Sequence, residues 1–183
     1  MHEARKLEHY TYEEYLQIDR DTQERVERIF GDIYLMAGAS AEHQDVVLNL
    51  AYVFKSISRE SRKCTPRIAP YDIKLDIDGD RSVVQPDVML FCGDDALPCA
   101  IFEVLSPSTA YKDMTVKKEL YERAGVREYF LVNIEHKVVE KFRLDGERYV
   151  YDKTYGAQEQ MPVTCMQTEI EVDAIFEEIK GES

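Results

Sequence analysis

The sequence is poor in several features that would assign it to a specialised class of protein. It has 4 cysteines in 183 residues (Cys64, Cys92, Cys99 and Cys165), and no two of them form a CxxC pair. This spacing favours reduced thiols in a cytoplasm over a disulfide framework. No apolar run approaches the ~18 residues of a membrane span. The polar N-terminus lacks the apolar segment of a signal peptide. We therefore expect a cytoplasmic protein without a membrane-spanning segment.

Basic residues are also scarce, with 23 Lys+Arg against 36 Asp+Glu and a net charge of −13. Proteins dedicated to nucleic acids neutralise phosphates with Lys and Arg, so this balance argues against such a role. Segment 55–74 is the exception, because it holds six bases against two acids, a local charge of +4. We expect this segment to meet phosphates beside a cleft, through Arg59, Arg62, Lys63 and Arg67.

The remaining composition is that of a globular protein. The chain is 44% hydrophobic and contains 12 Tyr and 7 Phe. It shows no internal repeat, low-complexity segment or Gly/Ser linker, and its length fits the ~100–200 residues of one domain. We expect a single domain over residues 1–183.

The order of helical and strand-like patterns indicates an α/β or α+β fold with a mixed central sheet. Helical spacing predicts helices over 12–18, 41–60, 113–124 and 172–179. Turn residues separate predicted hairpins at Gly31-Asp32 and Asp145-Gly146. Predicted strands cover 71–77, 83–91, 100–105 and 128–134.

Two acidic residues stand out against this pattern. Glu103 lies inside Ala100–Leu105, a run that is otherwise apolar on both faces and typical of a central strand. A buried carboxylate must be paired, protonated or bound to a cation, and a buried salt bridge is one reading of it. Asp87 follows Pro86, which indicates a sheet edge, a bulge or simply a turn. If the two strands pair, both acids converge at one end of the sheet, where a divalent cation would relieve their repulsion.

Lys117 is the third unusual residue, because it lies at the centre of an apolar helix face. Such a lysine snorkels to solvent, meets a buried carboxylate, or pairs locally with Asp113 one turn earlier. Two acids and an inward lysine together indicate a hydrolytic site in which the acids hold Mg²⁺ or Mn²⁺ and the lysine orients or deprotonates a water.

The ordered motifs around these residues resemble one family. They are Gln85-Pro86-Asp87, Phe102-Glu103-Val104-Leu105-Ser106-Pro107-Ser108, Asp113-x-x-x-Lys117-x-x-x-Tyr121 and Ala124-Gly125-Val126-Arg127-Glu128-Tyr129. They resemble the Uma2 (Uma-two) family of restriction endonucleases, a branch of the PD-(D/E)XK nuclease superfamily. The resemblance covers residues 10–180 and is densest over 84–133.

The resemblance implies a restriction-endonuclease-like α/β core, a mixed central sheet flanked by helices, with additional β-hairpins. It implies that Asp87, Glu103 and the carbonyl of Val104 hold the metal and that Lys117 is the catalytic lysine. Leu105 departs from the wider superfamily, whose acid-x-Lys motif would place a lysine there. His43, Asp72, Asp113 and Tyr121 are implied as residues that face the substrate or support the metal ligands.

The main hypothesis is a Mg²⁺-dependent endonuclease that hydrolyses DNA phosphodiester bonds. Two alternatives remain: a non-catalytic binding or scaffold module that retains the nuclease fold, and a hydrolase of small phosphate esters. Sequence motifs of zincins, P-loop NTPases and α/β-hydrolases are absent. Because cutting both strands usually needs two active sites, a homodimer is expected.

Overall fold

The structure, a computed structural model, describes residues 9–93 and 96–177. Its strands are β1 Val26–Ile29, β2 Asp32–Leu35, β3 Cys64–Ile68, β4 Ile73–Ile77, β5 Asp80–Val84, β6 Val88–Cys92, β7 Ala100–Leu105, β8 Glu128–Asn133, β9 Val138–Asp145, β10 Arg148–Tyr155, β11 Gln160–Val163 and β12 Thr168–Glu171. Its helices are α1 Tyr12–Asp21, α2 Ala41–Ser61, α3 Ala110–Lys112, α4 Lys118–Ala124 and α5 Val172–Ile175. A π-helical turn, Asp113–Lys117, joins α3 to α4, and a 3₁₀ turn covers Thr164–Met166.

The central sheet has six strands in the order β10-β9-β8-β7-β6-β3. It is mixed, because β7 and β8 run parallel while the other pairs are antiparallel. Helix α2 covers one face, where Phe54 packs on Phe102 and Phe102 stacks on Phe130 at 4.2 Å between ring centroids. Helix α4 covers the other face through Leu120. The predicted mixed sheet flanked by helices is confirmed.

A second sheet, antiparallel and ordered β2-β1-β5-β4, lies beside the first. The chain passes from β5 of this sheet to β6 of the central sheet through Gln85-Pro86-Asp87. The prediction of one strand over 83–91 is therefore wrong. Pro86 has no N–H to donate to a ladder, so the strand breaks there and changes sheets.

Several local predictions are confirmed. Helix α1 begins with the capping box predicted by Thr11 and Glu14, and Ser40 caps α2. Both predicted hairpins form, but each two-residue turn is displaced by one residue, to Phe30-Gly31 and Gly146-Glu147. The helix predicted from residue 113 begins three residues earlier and includes the π-helical turn. Strands β3, β11 and β12 were not predicted, since their short polar or proline-containing runs carry little periodicity.

The four cysteines differ from the prediction of reduced thiols. The structure pairs Cys64 with Cys92 and Cys99 with Cys165 as disulfides, whereas reduced thiols were expected. Spacing along the chain did not reveal this, because the strand register and not the sequence brings Cys64 opposite Cys92.

No helix among the described residues is long and apolar enough to cross a membrane. The N-terminal segment 1–8, used above to argue against a signal peptide, lies outside the described ranges, as do residues 178–179 of the last predicted helix.

Candidate active site

Glu103 lies in the centre of β7 and points to the α4 face of the sheet. Its neighbours Phe102 and Val104 alternate to the α2 face, so the pleat alone directs the Glu103 carboxylate into the opposite layer. The side chain is only 2% exposed. Its Oε1 accepts hydrogen bonds from Lys117 Nζ at 3.0 Å and from the Tyr121 hydroxyl at 2.7 Å. The buried acid predicted from the strand pattern is thus paired.

Lys117 lies at the end of the π-helical turn and is 3% exposed. Its Nζ lies 3.0 Å from Glu103 Oε1, 3.1 Å from Glu27 Oε1 and 3.6 Å from Asp113 Oδ1. Lys117 therefore both contacts a buried carboxylate and pairs locally with Asp113, the two buried arrangements predicted for it. Single π-helical turns in a longer helix recur at functional sites because they redirect side chains that a regular helix would place elsewhere.

Glu27 is a site residue that the sequence reasoning missed. It lies on β1 of the second sheet and is completely buried. Its Oε1 accepts from the Gln85 amide at 3.0 Å, and its Oε2 accepts from Lys112 Nζ at 2.7 Å. The signal that could have found it is strand alternation, because Glu27 shares a strand face with Ile29, a core residue. Its partners lie 58 to 90 residues away in the sequence, so no local pattern identifies them.

Asp87 lies where the chain enters β6, and its carboxylate is held in place by the opposite strand and by α2. Its Oδ2 accepts from the Val104 amide at 2.8 Å and lies 3.2 Å from His43 Nε2. The Asp87 amide donates to Glu103 Oε2 at 3.4 Å. Because Val88 pairs with Phe102, Pro86 falls opposite Val104 and offers it no N–H. The Val104 carbonyl therefore remains outside the β6–β7 ladder.

The ionisable groups in this cluster shift one another's pKa values. Burial raises the pKa of Glu103 to about 8, although Lys117 acts in the opposite direction. Burial also raises the pKa of Asp113. For Glu27, burial is outweighed by Lys117 and Lys112, which lower its pKa to about 2. The surrounding carboxylates outweigh burial for Lys117 and hold its pKa well above the ordinary value, so its ammonium stays protonated.

His43 faces the same cluster from the first turn of α2. Its hydrogen bond to Asp87 raises its pKa against the effect of burial, and the Val104 backbone adds to the rise. Its Nδ1 is buried and has no hydrogen-bond partner among the residues that the structure describes. The ring therefore contacts the Asp87 carboxylate through Nε2.

The predicted residues do not all meet. Asp113 and Tyr121 join the cluster, whereas Asp72 is exposed and reaches it only through Gln85, whose Nε2 donates to Asp72 Oδ1 at 2.7 Å. Arg67 lies over the rings of Tyr71 and Phe91 at 4.8 and 4.7 Å.

The other basic residues lie at the far end of α2. Arg59 and Arg62 follow His43 by 16 and 19 residues in α2 and its C-cap, roughly 24–28 Å along the helix at 1.5 Å per residue. Arg59 and Arg62 do not flank the acids, because the length of α2 separates them. With Lys55 and Lys63 they line a cavity of about 390 Å³. We call these four residues the distal basic cluster.

The donor set of the acidic cluster fits a hard divalent cation. Glu27, Asp87, Glu103 and Asp113 outnumber Lys112 and Lys117, and carboxylate and carbonyl oxygens are the ligands that Mg²⁺ takes. The Oδ1 atom of Asp113 is buried without a hydrogen-bond partner among the described residues, and its nearest cation, Lys117 Nζ, lies 3.6 Å away. Asp87, Glu103 and the Val104 carbonyl are the residues that could hold such an ion.

Comparison with known proteins gives the family. The model of the Uma2 family, described as "Putative restriction endonuclease", matches residues 12–174. The chain belongs to the Uma2 family. Its cluster of two acids and a helix-borne lysine therefore lies in a chain of a nuclease family.

Relatives of this Uma2 chain occur in Synechocystis sp. (strain ATCC 27184 / PCC 6803 / Kazusa). It is 27% identical over 173 residues to "Uncharacterized protein slr1290", covering 90% of each chain. It is 31% identical over 149 residues to "Uncharacterized protein sll1609", covering 75% of this chain and 82% of the relative. Neither name adds a substrate.

The fold is also that of a solved structure. A crystal structure of "a putative nuclease belonging to DUF820" from Anabaena variabilis ATCC 29413 superposes with a TM-score of 0.69 at 18% identity. The match covers 91% of this chain and 97% of that one. The α/β fold of this Uma2 chain, with its mixed central sheet, flanking helices and extra hairpins, is thus shared with a nuclease structure.

Proposed function

We propose that this Uma2 protein is a Mg²⁺- or Mn²⁺-dependent endonuclease that hydrolyses DNA phosphodiester bonds. The observation that carries the proposal is the contact of Lys117 Nζ with Glu103 Oε1 at 3.0 Å, beside the Asp87 carboxylate. Pairing a lysine with two acids drawn from a strand end and a neighbouring strand fits phosphodiester hydrolysis.

Asp87, Glu103 and the Val104 carbonyl would hold the cation. When bound, it polarises a phosphoryl oxygen and lowers the pKa of a bound water. Contacts within the chain hold these ligands in position before a cation binds. The Val104 amide and His43 fix one carboxylate oxygen of Asp87, and the Tyr121 hydroxyl and Lys117 fix Oε1 of Glu103. Ligands held in this way lose little freedom on binding.

Lys117 acts as a charged donor in this proposal and not as a general base. The sequence left both roles open, but three surrounding carboxylates keep its ammonium protonated. A protonated Nζ orients a water or a phosphoryl oxygen and offsets negative charge that develops on the phosphate. Glu27, which contacts Nζ at 3.1 Å from the second sheet, is a positioning residue.

The distal basic cluster supports DNA over a small ester as the substrate. Its distance from His43 along α2, roughly 24–28 Å, equals about seven or eight base pairs at 3.4 Å each. A small ester bound at Glu103 would not extend to these residues.

The test is nicking of supercoiled plasmid by purified protein in Mg²⁺ or Mn²⁺. We expect wild type and Glu24→Gln, an exposed matched control, to nick, and Glu103→Gln and Lys117→Met to lose at least 100-fold in rate. Nicking that survives in Glu103→Gln would reveal a contaminant. Hydrolysis of bis(p-nitrophenyl) phosphate without nicking would favour the small-ester alternative.

Metal binding is measured separately by calorimetry. We expect Mn²⁺ to bind wild type and to bind Asp87→Asn more weakly. Absence of any divalent-metal binding, with unchanged stability of Asp87→Asn, would favour the non-catalytic scaffold.

A further inference from the structure

The sulfurs of three cysteines of the chain lie close together, and the fourth is bonded to one of them. The Sγ atoms of Cys92 and Cys99 lie 3.2 Å apart although they belong to different disulfides. The Sγ atoms of Cys92, Cys99 and Cys165 all lie within 4.8 Å of one another, and Cys64 is bonded to Cys92. A disulfide needs only two sulfurs to meet, so two independent cross-links give no reason for all four to converge.

The backbone positions of the four cysteines are fixed by the fold. Cys64 and Cys92 are register partners on β3 and β6. The Cys99 amide donates to Leu90 O at 2.8 Å, and Cys99 O accepts from the Glu128 amide at 3.1 Å. The cluster therefore does not depend on the sulfur–sulfur bonds to hold its segments near one another.

The segment that carries Cys165 is anchored by a buried ion pair. Glu128 accepts hydrogen bonds from the amides of Thr164 and Cys165 at 3.0 and 2.8 Å. Lys141 Nζ contacts the same carboxylate at 2.9 Å and donates to Pro162 O at 2.9 Å. A buried Glu–Lys pair thus fixes the 3₁₀ turn over the central sheet and presents Cys165 to the other sulfurs.

Cationic side chains lie beside one of the four cysteines. Cys64 lines the same cavity as the distal basic cluster, so Arg62 and Lys63 lie beside it. Cationic neighbours stabilise thiolates, which are the form that binds metals. Cys64 and Cys99 are buried, with 7% and 4% exposure, which fits a closed structural metal site.

We propose that in the reduced protein Cys64, Cys92, Cys99 and Cys165 form a structural Zn²⁺ site. Four cysteine thiolates are a complete structural zinc ligand set, and a Zn–S distance of about 2.3 Å gives sulfur–sulfur edges of about 3.8 Å. That edge falls between the 3.2 Å contact of Cys92 with Cys99 and the 4.8 Å limit that holds for Cys92, Cys99 and Cys165. Cys64 joins these three through its bond to Cys92, and reduction of both disulfides lets the bonded sulfurs separate to this edge.

Conversion from the disulfide form needs a reductant, which we take to be a dithiol. Two dithiols each supply two electrons and two protons, so the two protein disulfides become four thiols and the dithiols become two disulfides. Binding of one Zn²⁺ then releases the four thiol protons. The ion joins β3, β6, the residue before β7 and the turn before β12 into one unit.

The test is the metal content of protein purified anaerobically, without chelators, in tris(carboxyethyl)phosphine. We expect one zinc per chain by mass spectrometry of the metals, and an intact denatured mass with four free thiols. A chain without zinc whose mass is lower by four hydrogens overturns the proposal. So does a fully reduced chain that takes up no added Zn²⁺, or one that carries iron in place of zinc.

Thiol counts in variants test the ligand set. In Cys64→Ser, the zinc site predicts three free thiols in the denatured chain and loss of stoichiometric zinc, whereas two independent disulfides leave one thiol and an intact Cys99–Cys165 bond. Cys165→Ser must behave like Cys64→Ser if one ion binds all four. The control is Thr164→Ser, which keeps the hydroxyl next to Cys165 and should retain one zinc. The wild-type measurement decides the matter if a variant fails to fold.

Discussion

Lys117 donates a hydrogen bond to Glu103 across 3.0 Å, and both side chains are almost completely buried. The pair joins a π-helical turn to the central strand of the sheet. Because Nζ also contacts Glu27 and Asp113, one lysine joins three buried carboxyl groups. The stability of the fold and the chemistry proposed for the site therefore depend on the same contacts.

The first prediction concerns the loss of this ammonium. Lys117→Met leaves Glu27, Glu103 and Asp113 buried without their shared cation, and breaking a buried ion pair from one side typically costs about 3–5 kcal/mol. We expect the free energy of unfolding in urea to fall by about 3 kcal/mol.

The neighbouring Lys118→Met is the control, because Lys118 lies outside the cluster and over the ring of Phe142. Its loss should cost about 1 kcal/mol or less. Equal effects of the two variants would show that the buried network adds no stability.

The second prediction is a pH dependence caused by Glu103. Its pKa is about 8 in the folded chain against an ordinary 4.5, so between these values the folded chain keeps a proton that the unfolded chain has lost. Stability is therefore highest below pH 4.5 with respect to this group and falls as the pH rises to 8, by up to about 1.4 kcal/mol per pH unit. We expect Glu103→Gln to have a shallower slope than wild type in urea unfolding at pH 5, 6, 7 and 8.

Other groups, including Asp113, contribute to the absolute slope, so the measured quantity is the difference between the two proteins at each pH. A difference that does not change from pH 5 to pH 8 would contradict the raised pKa of Glu103.

The sequence was informative wherever one local pattern was enough. The continuous apolar run Ala100–Leu105 identified Glu103 as an acid in an apolar strand, and helical spacing placed Lys117 and Asp113 on one face. Local patterns do not predict which distant segments pair. Glu27 meets Lys117 only because two sheets lie side by side. No periodic pattern in the sequence marks the change of sheet at Pro86. For the same reason, the meeting of the cysteines was missed.

The third prediction contrasts two carboxylates on either side of Lys117. Glu27 is ionised and accepts from Lys112 and the Gln85 amide, so Glu27→Gln should lower the free energy of unfolding by about 3 kcal/mol. Asp113 has a raised pKa and a buried oxygen without a hydrogen bond. Asp113→Asn should therefore change the free energy of unfolding by less than about 1 kcal/mol.

Urea unfolding at pH 7 measures both variants, with the exposed Glu24→Gln as the matched control. If Asp113→Asn proved as damaging as Glu27→Gln, the carboxylate of Asp113 would be as well paired as that of Glu27, contrary to the contacts found.

The last prediction concerns the distal basic cluster. Arg59 and Arg62 lie roughly 24–28 Å from His43 along α2, so they can hold phosphates without touching the site of hydrolysis. Arg59→Gln/Arg62→Gln should weaken DNA binding and reduce the slope of log affinity against log salt by about 1.8, since each phosphate contact contributes about 0.9. The cleavage rate at saturating DNA should stay unchanged. The control Arg20→Gln/Arg148→Gln removes the same charge from α1 and β10. Binding measured by fluorescence anisotropy from 50 to 200 mM salt separates the two pairs. An equal change in both would mean that only the net charge of the protein matters, because contacts with DNA at α2 would then add nothing specific.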